Sequence, residues 1–319
     1  MNLNDLPPLK AGFFDSPEDL YHSDCRALSR SDLLIVEQWG TAYLKHKWDS
    51  NTSKKRTPAM AFGSAFHKAV LEPLKFADQY CQEPERPNGY ANSAEELKQR
   101  CKDAGLAISG AKADLIDRIL EVDPYFQTWD QRREQLIGKK EVISLEDWGL
   151  ISGMQIALQT NPVFEAIREG SVFEQSMYWQ DVDTGMWLKG RIDMMNPELG
   201  HIIVDPKTAA DPRPHRFRYE ADDKGYDMQA AMYVDGVEAI TGEVPPFIFA
   251  VVHKEAPHAV YMYEVDSSYI EQGRDKYKSA LQQIKQSQLT NHWPTTPRNI
   301  KSLEGLISLA PTTRRKKIG

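Results

Sequence analysis

GRIDMMNPELGHIIVDPKTAAD, residues 190–211, is the stretch whose reading decides the fold. Met186 to Met195 reads as a strand, Asn196 to Gly200 as a turn, and His201 to Lys207 as a second strand. Upstream, Val172 to Gln180 alternates in polarity and Asp183 to Gly185 supplies another turn. Three strands joined by short turns make an antiparallel meander. Side chains alternate along a strand, so Asp205 and Lys207 share one face while Pro206 points away. Asp193, near the end of the preceding strand, can lie beside them across the hairpin. Glu174 belongs to the strand before that, on one face with Val172, Ser176 and Tyr178. The pattern gathers three carboxylates and one ammonium on a single patch of sheet. Carboxylates so crowded repel unless a divalent cation neutralises them. Mg2+ suits such a patch, because one or two carboxylates with water and phosphate oxygens complete its octahedron. Asp-x-Lys taken alone is more often a surface ion pair across strands; the rest of the set gives it weight.

Outward from this core, helices alternate with strands. The residues to about Tyr21 are rich in Pro and Asp and read as a loop. Ser31 is a candidate N-cap for the helix that follows. A basic loop from Asn51 to Pro58 leads into a helix over Ala61 to Glu72, stopped by Pro73. Phe62, Phe66 and Val70 recur there at fourfold spacing and form its core face. Further helices are expected over Trp148 to Thr160, Tyr226 to Ile240 and Ser268 to Gln288, and strands over Pro246 to His253 and Ala259 to Val265. Strands embraced by helices predict a mixed α/β fold with a central mixed β-sheet.

One segment interrupts the pattern. Pro84, Pro87 and Gly89 open a polar linker that Asp123 and Pro124 close. Ser93 and Glu96 form a capping box, Leu97, Cys101 and Ala104 line one helix face, and Gly105 ends that helix. Ser109 begins a second helix with Leu115, Ile116, Ile119 and Leu120 inward. Residues 88–123 therefore read as an inserted helix–linker–helix, and residues 1–87 with 124–319 as the main domain. So small a unit needs the main body to dock against.

Across 319 residues, 39 Lys and Arg stand against 46 Asp and Glu, a net charge of −7. That average conceals two blocks of +5, Arg26 to Lys68 and Arg298 to Gly319, and a cluster of Arg213, His215, Arg216 and Arg218. Local basic patches on an acidic body can hold phosphates, although a charge run can equally be a solvated face. No apolar run approaches the ~18 residues of a membrane span. The opening MNLNDLPPLK shows no export signal, and Cys25, Cys81 and Cys101 have neither disulfide nor zinc spacing. A cytoplasmic protein with no membrane partner is expected.

Six groups occur in order along the chain: Gly63 to His67 with Val70 to Pro73; Glu174 with Ser176 to Trp179; Arg191 to Asp193; Val204 to Asp211; Gln229 with Tyr233; and Trp293 with Pro294. In these the chain resembles the PD-(D/E)xK nuclease superfamily, and within it the RecE (exonuclease VIII) branch of phage-type recombination exonucleases. The resemblance implies a restriction-endonuclease-like core. It implies that His67, Asp193, Asp205 and the backbone carbonyl of Pro206 hold Mg2+, with Mn2+ able to substitute. Lys207 becomes the catalytic lysine and Glu174 an acid close to the metal. Gln229 and Tyr233 become a QxxxY pair supporting the site; by spacing alone they are packing residues. Pro206 departs from the aliphatic residue usual in the family and marks a strand edge or bulge. Residues 88–123 resemble a SAP module through Glu96, Leu97, Gly105, Leu106, Gly110, Lys112, Leu115, Ile116 and Arg118. DNA contact through Lys112 is then implied, against the alternative of a hairpin that braces the body.

The activity implied is a Mg2+-dependent 5′→3′ exonuclease acting on linear double-stranded DNA ends. It would release 5′-mononucleotides and leave 3′ overhangs for single-strand-annealing recombination, in a bacterial cell whose phage or prophage encodes it. A homo-oligomeric ring, with a tetramer favoured, and a single-strand-annealing partner are implied by the family alone. Ser31 at its helix start, with Arg26 and Arg30, is placed to hold a terminal 5′-phosphate. Arg213, Arg216 and Arg218 are further DNA contacts. Two other readings stand beside this one. A same-fold endonuclease or end-trimming nuclease, of the RecB or CRISPR-adaptation kind, often carries an iron–sulfur cluster on four cysteines, and this chain has three. A non-catalytic DNA-end-binding protein would use the SAP-like unit and release no nucleotide.

Overall fold

In the computed structural model, which describes residues 9–50 and 56–295, the expected meander is the middle of a six-stranded sheet. The strands are β1 (Gly12–Phe14), β2 (Tyr80–Gln82), β3 (Glu141–Ile143), β4 (Val172–Gln180), β5 (Trp187–Asn196), β6 (Ile202–Ala209), β7 (Phe247–His253) and β8 (Val260–Glu264). The sheet runs β1-β4-β5-β6-β7-β8, and β2 pairs separately with β3. Every neighbouring pair in the large sheet is antiparallel except β6 with β7, so the sheet is mixed. The fold is the expected mixed α/β arrangement, with helices on both faces of that sheet.

The N-terminal half supplies α1 (Glu18–Ser23), α2 (Arg30–Trp39), α3 (Thr41–Ser50), α4 (Pro58–Leu71) and α5 (Pro73–Gln79). The segment expected to be a loop thus contains both β1 and α1: Gly12 to Phe14 finds partners in Ser176 to Tyr178 at the sheet edge. Such a short strand has no signal of its own and exists because an edge is available. Pro73 ends α4 as expected, and it is also the first residue of α5, since a proline's missing N–H costs nothing at that position. The N-cap of α2 is Ser29, not Ser31: the Asp32 carboxylate accepts from the Ser29 N–H at 2.8 Å and from its hydroxyl at 2.6 Å.

The middle holds α6 (Ala94–Asp103), α7 (Lys112–Val122), α8 (Trp129–Ile137), α9 (Leu145–Gln159) and α10 (Pro162–Arg168). The capping box at Ser93 and Glu96 is present, and Gly105 has φ +72°, the left-handed conformation a closing glycine serves. The second helix begins later than Ser109, at Lys112, where Asp114 bonds back to the N–H of Ala111 at 2.8 Å. Leu97, Cys101, Leu115 and Ile119 form a small core of their own with Ala91 and Phe126. The excursion leaves from β2 and returns at β3, which lie side by side in parallel. It takes α8 with it, since the Trp129 N–H bonds to the Ala91 carbonyl.

The C-terminal half adds α11 (Pro214–Asp223), α12 (Tyr226–Thr241) and α13 (Ser267–Thr290). Residue parity divides the sheet into two cores. Ile203, Phe247, Phe249 and Val251 face a layer containing α2, α12 and α13, whereas Val204, Ile248, Ala250 and Val252 face α4, α9 and α10. β7 is therefore apolar along its length, FIFAVVH, because both of its faces are covered. Asp205 and Lys207 have the odd parity of the α12 side and reach Gln229 and Tyr226 there, whereas on β5 the even residues Leu188 and Ile192 join that layer and Asp193 faces His67 of α4. Among the described residues no helix is long and apolar enough to cross a membrane.

Candidate active site

Strand register delivers the two key acids. β5 and β6 pair through Asn196↔Ile202, Met195↔Ile203 and Met194↔Val204, and the ladder stops there. The next opposed positions would be Asp193 and Asp205. β6 continues to Ala209 with only β7 as its partner strand. Pro206 lies in this stretch, where a missing N–H is tolerated because one edge of the strand carries no ladder. The splay opens a gap in the sheet with a carboxylate on each side.

Each acid is held differently. Asp205, 1 % exposed, accepts from Nζ of Lys207 at 2.6 Å on one oxygen and from Nε2 of Gln229 at 2.7 Å on the other. Lys207 also stands over the Tyr226 ring, 4.9 Å from its centroid. Asp193 faces His67 of α4, with Oδ2 to Nδ1 at 3.1 Å, yet that buried oxygen has no hydrogen bond of good geometry. Burial and the charge of Asp193 push the Asp205 carboxyl up to about 7, despite the opposing pull of Lys207. Burial acts against the charge on Asp193 too, but the His67 imidazole outweighs it and holds that acid well below the usual range. Burial would lower His67, and Asp193 more than offsets it. Two neighbouring acids with carboxyls pushed apart in this way are what a shared polar site produces.

Glu174 stands opposite Asp193 by register, since Phe173↔Met194 and Gln175↔Ile192 flank the position. Its φ is +51°, a left-handed backbone in mid-strand that costs roughly 1–3 kcal/mol unless its surroundings impose it. Its carboxylate accepts from Nε of Arg191 at 2.7 Å. Tyr233 lies one turn beyond Gln229 and packs over Gly190, where an added Cβ would come within 2.9 Å of the ring. Burial pushes its hydroxyl to higher pKa, with the charges of Asp193 and Asp205 adding to the effect. His67, Glu174, Asp193, Asp205, Lys207, Gln229 and Tyr233 are thus brought to one place.

Three cavities meet here. One, lined by His67, Glu174, Arg191 and Asp193, opens toward Arg56 and Lys68. A second is lined by Lys207, His67, Arg30, Lys224 and Lys254. A third surrounds the start of α2, with Ser29, Arg30, Ser31, Lys47, Lys189 and Arg191 in its wall. Gly63, in the first two walls, has nothing within 4 Å of where a Cβ would sit. Ser31 lies 2.9 Å from the Ser29 hydroxyl, and Arg30 reaches the Lys224 carbonyl and Gln229. Arg26 is forked on Asp24 beside this cavity. Arg213 is likewise forked on Asp211, Arg216 is exposed on α11, and Arg218 lines a separate cavity with Tyr269. Those three do not line the cavities at the acid pair. Lys112 faces Asp130 at 3.4 Å in the excursion. The +5 block from Arg298 onward lies outside the described residues.

Sequence reasoning missed several cations in these walls. Arg56 and Lys68 belonged to a block noted only for its sum. Lys254 carried no signal, because only the pairing of β7 with β6, which sets its N–H on the Ala209 carbonyl, brings it into the cavity that Lys207 also lines. Lys189 is 5 % exposed with its ammonium on the carbonyls of Tyr21 and Asp24, and burial lowers its pKa.

The donor set fits a divalent cation on chemistry. Asp193, Asp205 and His67 are oxygen and nitrogen ligands, and Asp193 carries a buried oxygen without a hydrogen bond. Among the described residues no three His, Cys, Asp or Glu side chains are gathered tightly enough to hold an ion unaided. Water or substrate oxygens have to complete the shell, as is usual for Mg2+. Cys25 is exposed, Cys81 part-buried and Cys101 in the small hairpin core, so the thiols do not converge.

A family model described as "PDDEXK-like domain of unknown function (DUF3799)" matches residues 29–304. No curated protein matches. Among solved structures, a candidate exonuclease from Eubacterium rectale is 13% identical, aligning 86% of this chain with 88% of its own at a TM-score of 0.53. That likeness is one of fold. The protein SSO0001 is 15% identical over 69% of this chain and 85% of its own; its TM-score is 0.22 and it carries no argument.

Proposed function

Because the chain belongs to the PDDEXK-like family of that description, we propose that it is a divalent-metal-dependent 5′→3′ exonuclease on linear double-stranded DNA, of the RecE kind. The observation that carries this reading is the acid pair across the splayed β5–β6 gap, with Lys207 and Gln229 on Asp205 and His67 on Asp193. The description of the Eubacterium rectale protein as a candidate exonuclease agrees with it.

Asp193, Asp205 and His67 would hold the cation, with Mg2+ the expected ion and Mn2+ a substitute; the Pro206 carbonyl is a further ligand by resemblance. When bound, the cation supplies Lewis-acid polarisation of the scissile phosphate and lowers the pKa of water. Lys207 orients the attacking water and offsets the charge that develops on the phosphoryl oxygens. Gln229 fixes the Asp205 carboxylate by taking one of its oxygens, which leaves Lys207 positioned on the other. Tyr233 closes the wall behind the acids. The cavity at the start of α2 receives the terminal 5′-phosphate, where N–H groups, Arg30, Ser31 and the neighbouring cations favour an anion. Attack one phosphodiester inward releases a 5′-mononucleotide and leaves a 3′ overhang, the substrate of a single-strand-annealing protein.

In this reading the α6–α7 unit acts as a SAP-like DNA contact through Lys112, on a ring-forming homo-oligomer with a tetramer favoured. Trp39 and Tyr43, 55% and 49% exposed with rings 5.8 Å apart, supply the kind of apolar patch that a neighbouring subunit covers.

The deciding experiment is a time course with Mg2+ on linear duplex blocked at one end, alongside a covalently closed plasmid. Mononucleotide release from the free 5′ end with the plasmid intact is the expected result. Plasmid cleavage would establish the endonuclease instead, and binding without release the end-binding protein.

A further inference from the structure

Arg191 is a shared wall. Its side chain, 13% exposed, lines the cavity at the start of α2 and the cavity at His67 and Asp193. Three bonds fix its guanidinium: Nε to Glu174 at 2.7 Å, and Nη1 to the Ser16 carbonyl at 2.9 Å and the Ser176 hydroxyl at 3.0 Å. Nη2 makes no hydrogen bond to any described residue. Arg191 and Ser176 are direct cross-strand partners, while Glu174 reaches the guanidinium from a left-handed backbone. A strand that adopts this conformation beside its own acid is organised around the guanidinium.

We propose that Arg191 is a phosphate-holding residue between the two cavities, and that Glu174 is a positioning residue acting through it. On the nuclease reading above, on which this inference rests, the guanidinium holds the DNA backbone between the terminal phosphate and the acid pair. The distance from end to cleaved bond is then set by one rigid side chain, and the product is one nucleotide long. A forked, planar donor suits this task better than an ammonium, because it grips phosphate oxygens while remaining bonded to its supports. Glu174 bears its charge toward Arg191 and is not required as a ligand.

The test compares wild type, Arg191→Ala, Arg191→Lys, Glu174→Gln and the double variant Arg191→Ala/Glu174→Gln, all as the full chain. Binding of duplexes ending in 5′-phosphate or 5′-hydroxyl is measured by fluorescence anisotropy in chelator, and product length by gel with Mg2+. Wild type should prefer the phosphorylated end by about tenfold and release mononucleotides, the preference being the ~1.4 kcal/mol of one decade. Arg191→Ala should lose the preference, raise KM more than it lowers kcat, and release mixed short products. Arg191→Lys should fall between. The double variant should be no worse than Arg191→Ala alone, because both changes remove one unit.

Full end discrimination and unchanged product length in both Arg191 variants would overturn the phosphate role with the nuclease reading intact. A wild type that degrades DNA without end preference would do the same. Multiplicative loss in the double variant would show Glu174 acting independently of Arg191. Absence of DNA degradation by wild type with either Mg2+ or Mn2+ would remove the nuclease reading and this inference together. Arg191→Lys and Glu174→Gln keep size and polarity, so the comparison survives if the alanine variant is poorly folded.

Discussion

Asp205 is held on both oxygens by groups with different jobs, and its replacements should separate them. Asp205→Asn keeps the shape and removes the charge, and Lys207→Ala removes the ammonium. Each should reduce DNA cleavage by roughly 10²–10³-fold or more while the protein still folds and binds duplex, read by single-turnover kinetics beside anisotropy. Cleavage at wild-type rates in either variant would move the site elsewhere. Gly63 offers a contrasting residue, because its helical position faces open space. Gly63→Ala should stabilise the protein by about 0.5–1 kcal/mol in urea titrations, the ordinary gain in a helix. Gly63→Leu should fold equally well and impair DNA turnover by filling the cavities that it lines beside His67. At this scale alternation gave the shared face of Asp205 and Lys207 and set Asp193 near them across the hairpin, while their roles came from the resemblance. Arg191 was visible only as part of a motif, since nothing local reveals that a guanidinium will be clamped from three sides.

At the scale of elements, boundaries followed pattern where pattern was strong. β4 runs from Val172 to Gln180 as expected, and α12 and α13 extend the expected helices by a residue or two. The departures have physical causes. β1 exists because an edge was free, and α2 begins two residues earlier than expected because Ser29, bonded to Asp32, is its N-cap. Close helix crossing is another feature that no periodicity encodes: Gly273 of α13 lies where a Cβ would be 2.0 Å from the Asp227 carbonyl oxygen. Gly273→Ala must therefore part α12 from α13. A loss at the upper end of about 1–3 kcal/mol, or beyond it, is expected in denaturant titrations, because the obstacle is backbone and cannot rotate away. The α6–α7 unit carries a different prediction. Lys112→Ala should leave stability nearly unchanged, since its contact with Asp130 is a surface pair. It should reduce the salt dependence of duplex binding by about one phosphate contact. An unchanged salt slope would favour a bracing role for this hairpin.

At the scale of the whole molecule, the net charge of −7 misdescribes the surface that matters. Lys47, Arg56, Lys68, Lys207, Lys224 and Lys254 come from several parts of the chain and meet in three cavities around Asp193 and Asp205. Burial pushes the Asp205 carboxyl up and the charge of Asp193 adds to it, a cost of the fold that a divalent cation would relieve. Mg2+ or Mn2+ should therefore raise the thermal midpoint of wild type, by mass action on the folded state. Asp205→Asn should show a smaller rise, or none, by differential scanning fluorimetry. An equal shift in both would place the binding site away from the acid pair.

The sequence by itself determined the meander, the helices at α4, α9, α12 and α13, the face shared by Asp205 and Lys207, and the helix pair α6 and α7. These are consequences of periodicity, turn chemistry and proline, all of which act within a few residues. Only the tertiary structure decided that the β5–β6 ladder ends one step before the two acids, that α4 delivers His67 to Asp193, and that Glu174 turns to clamp Arg191. Those outcomes depend on register and on the crossing of elements far apart in the chain, where the free energy of one position is set by neighbours that local pattern does not specify.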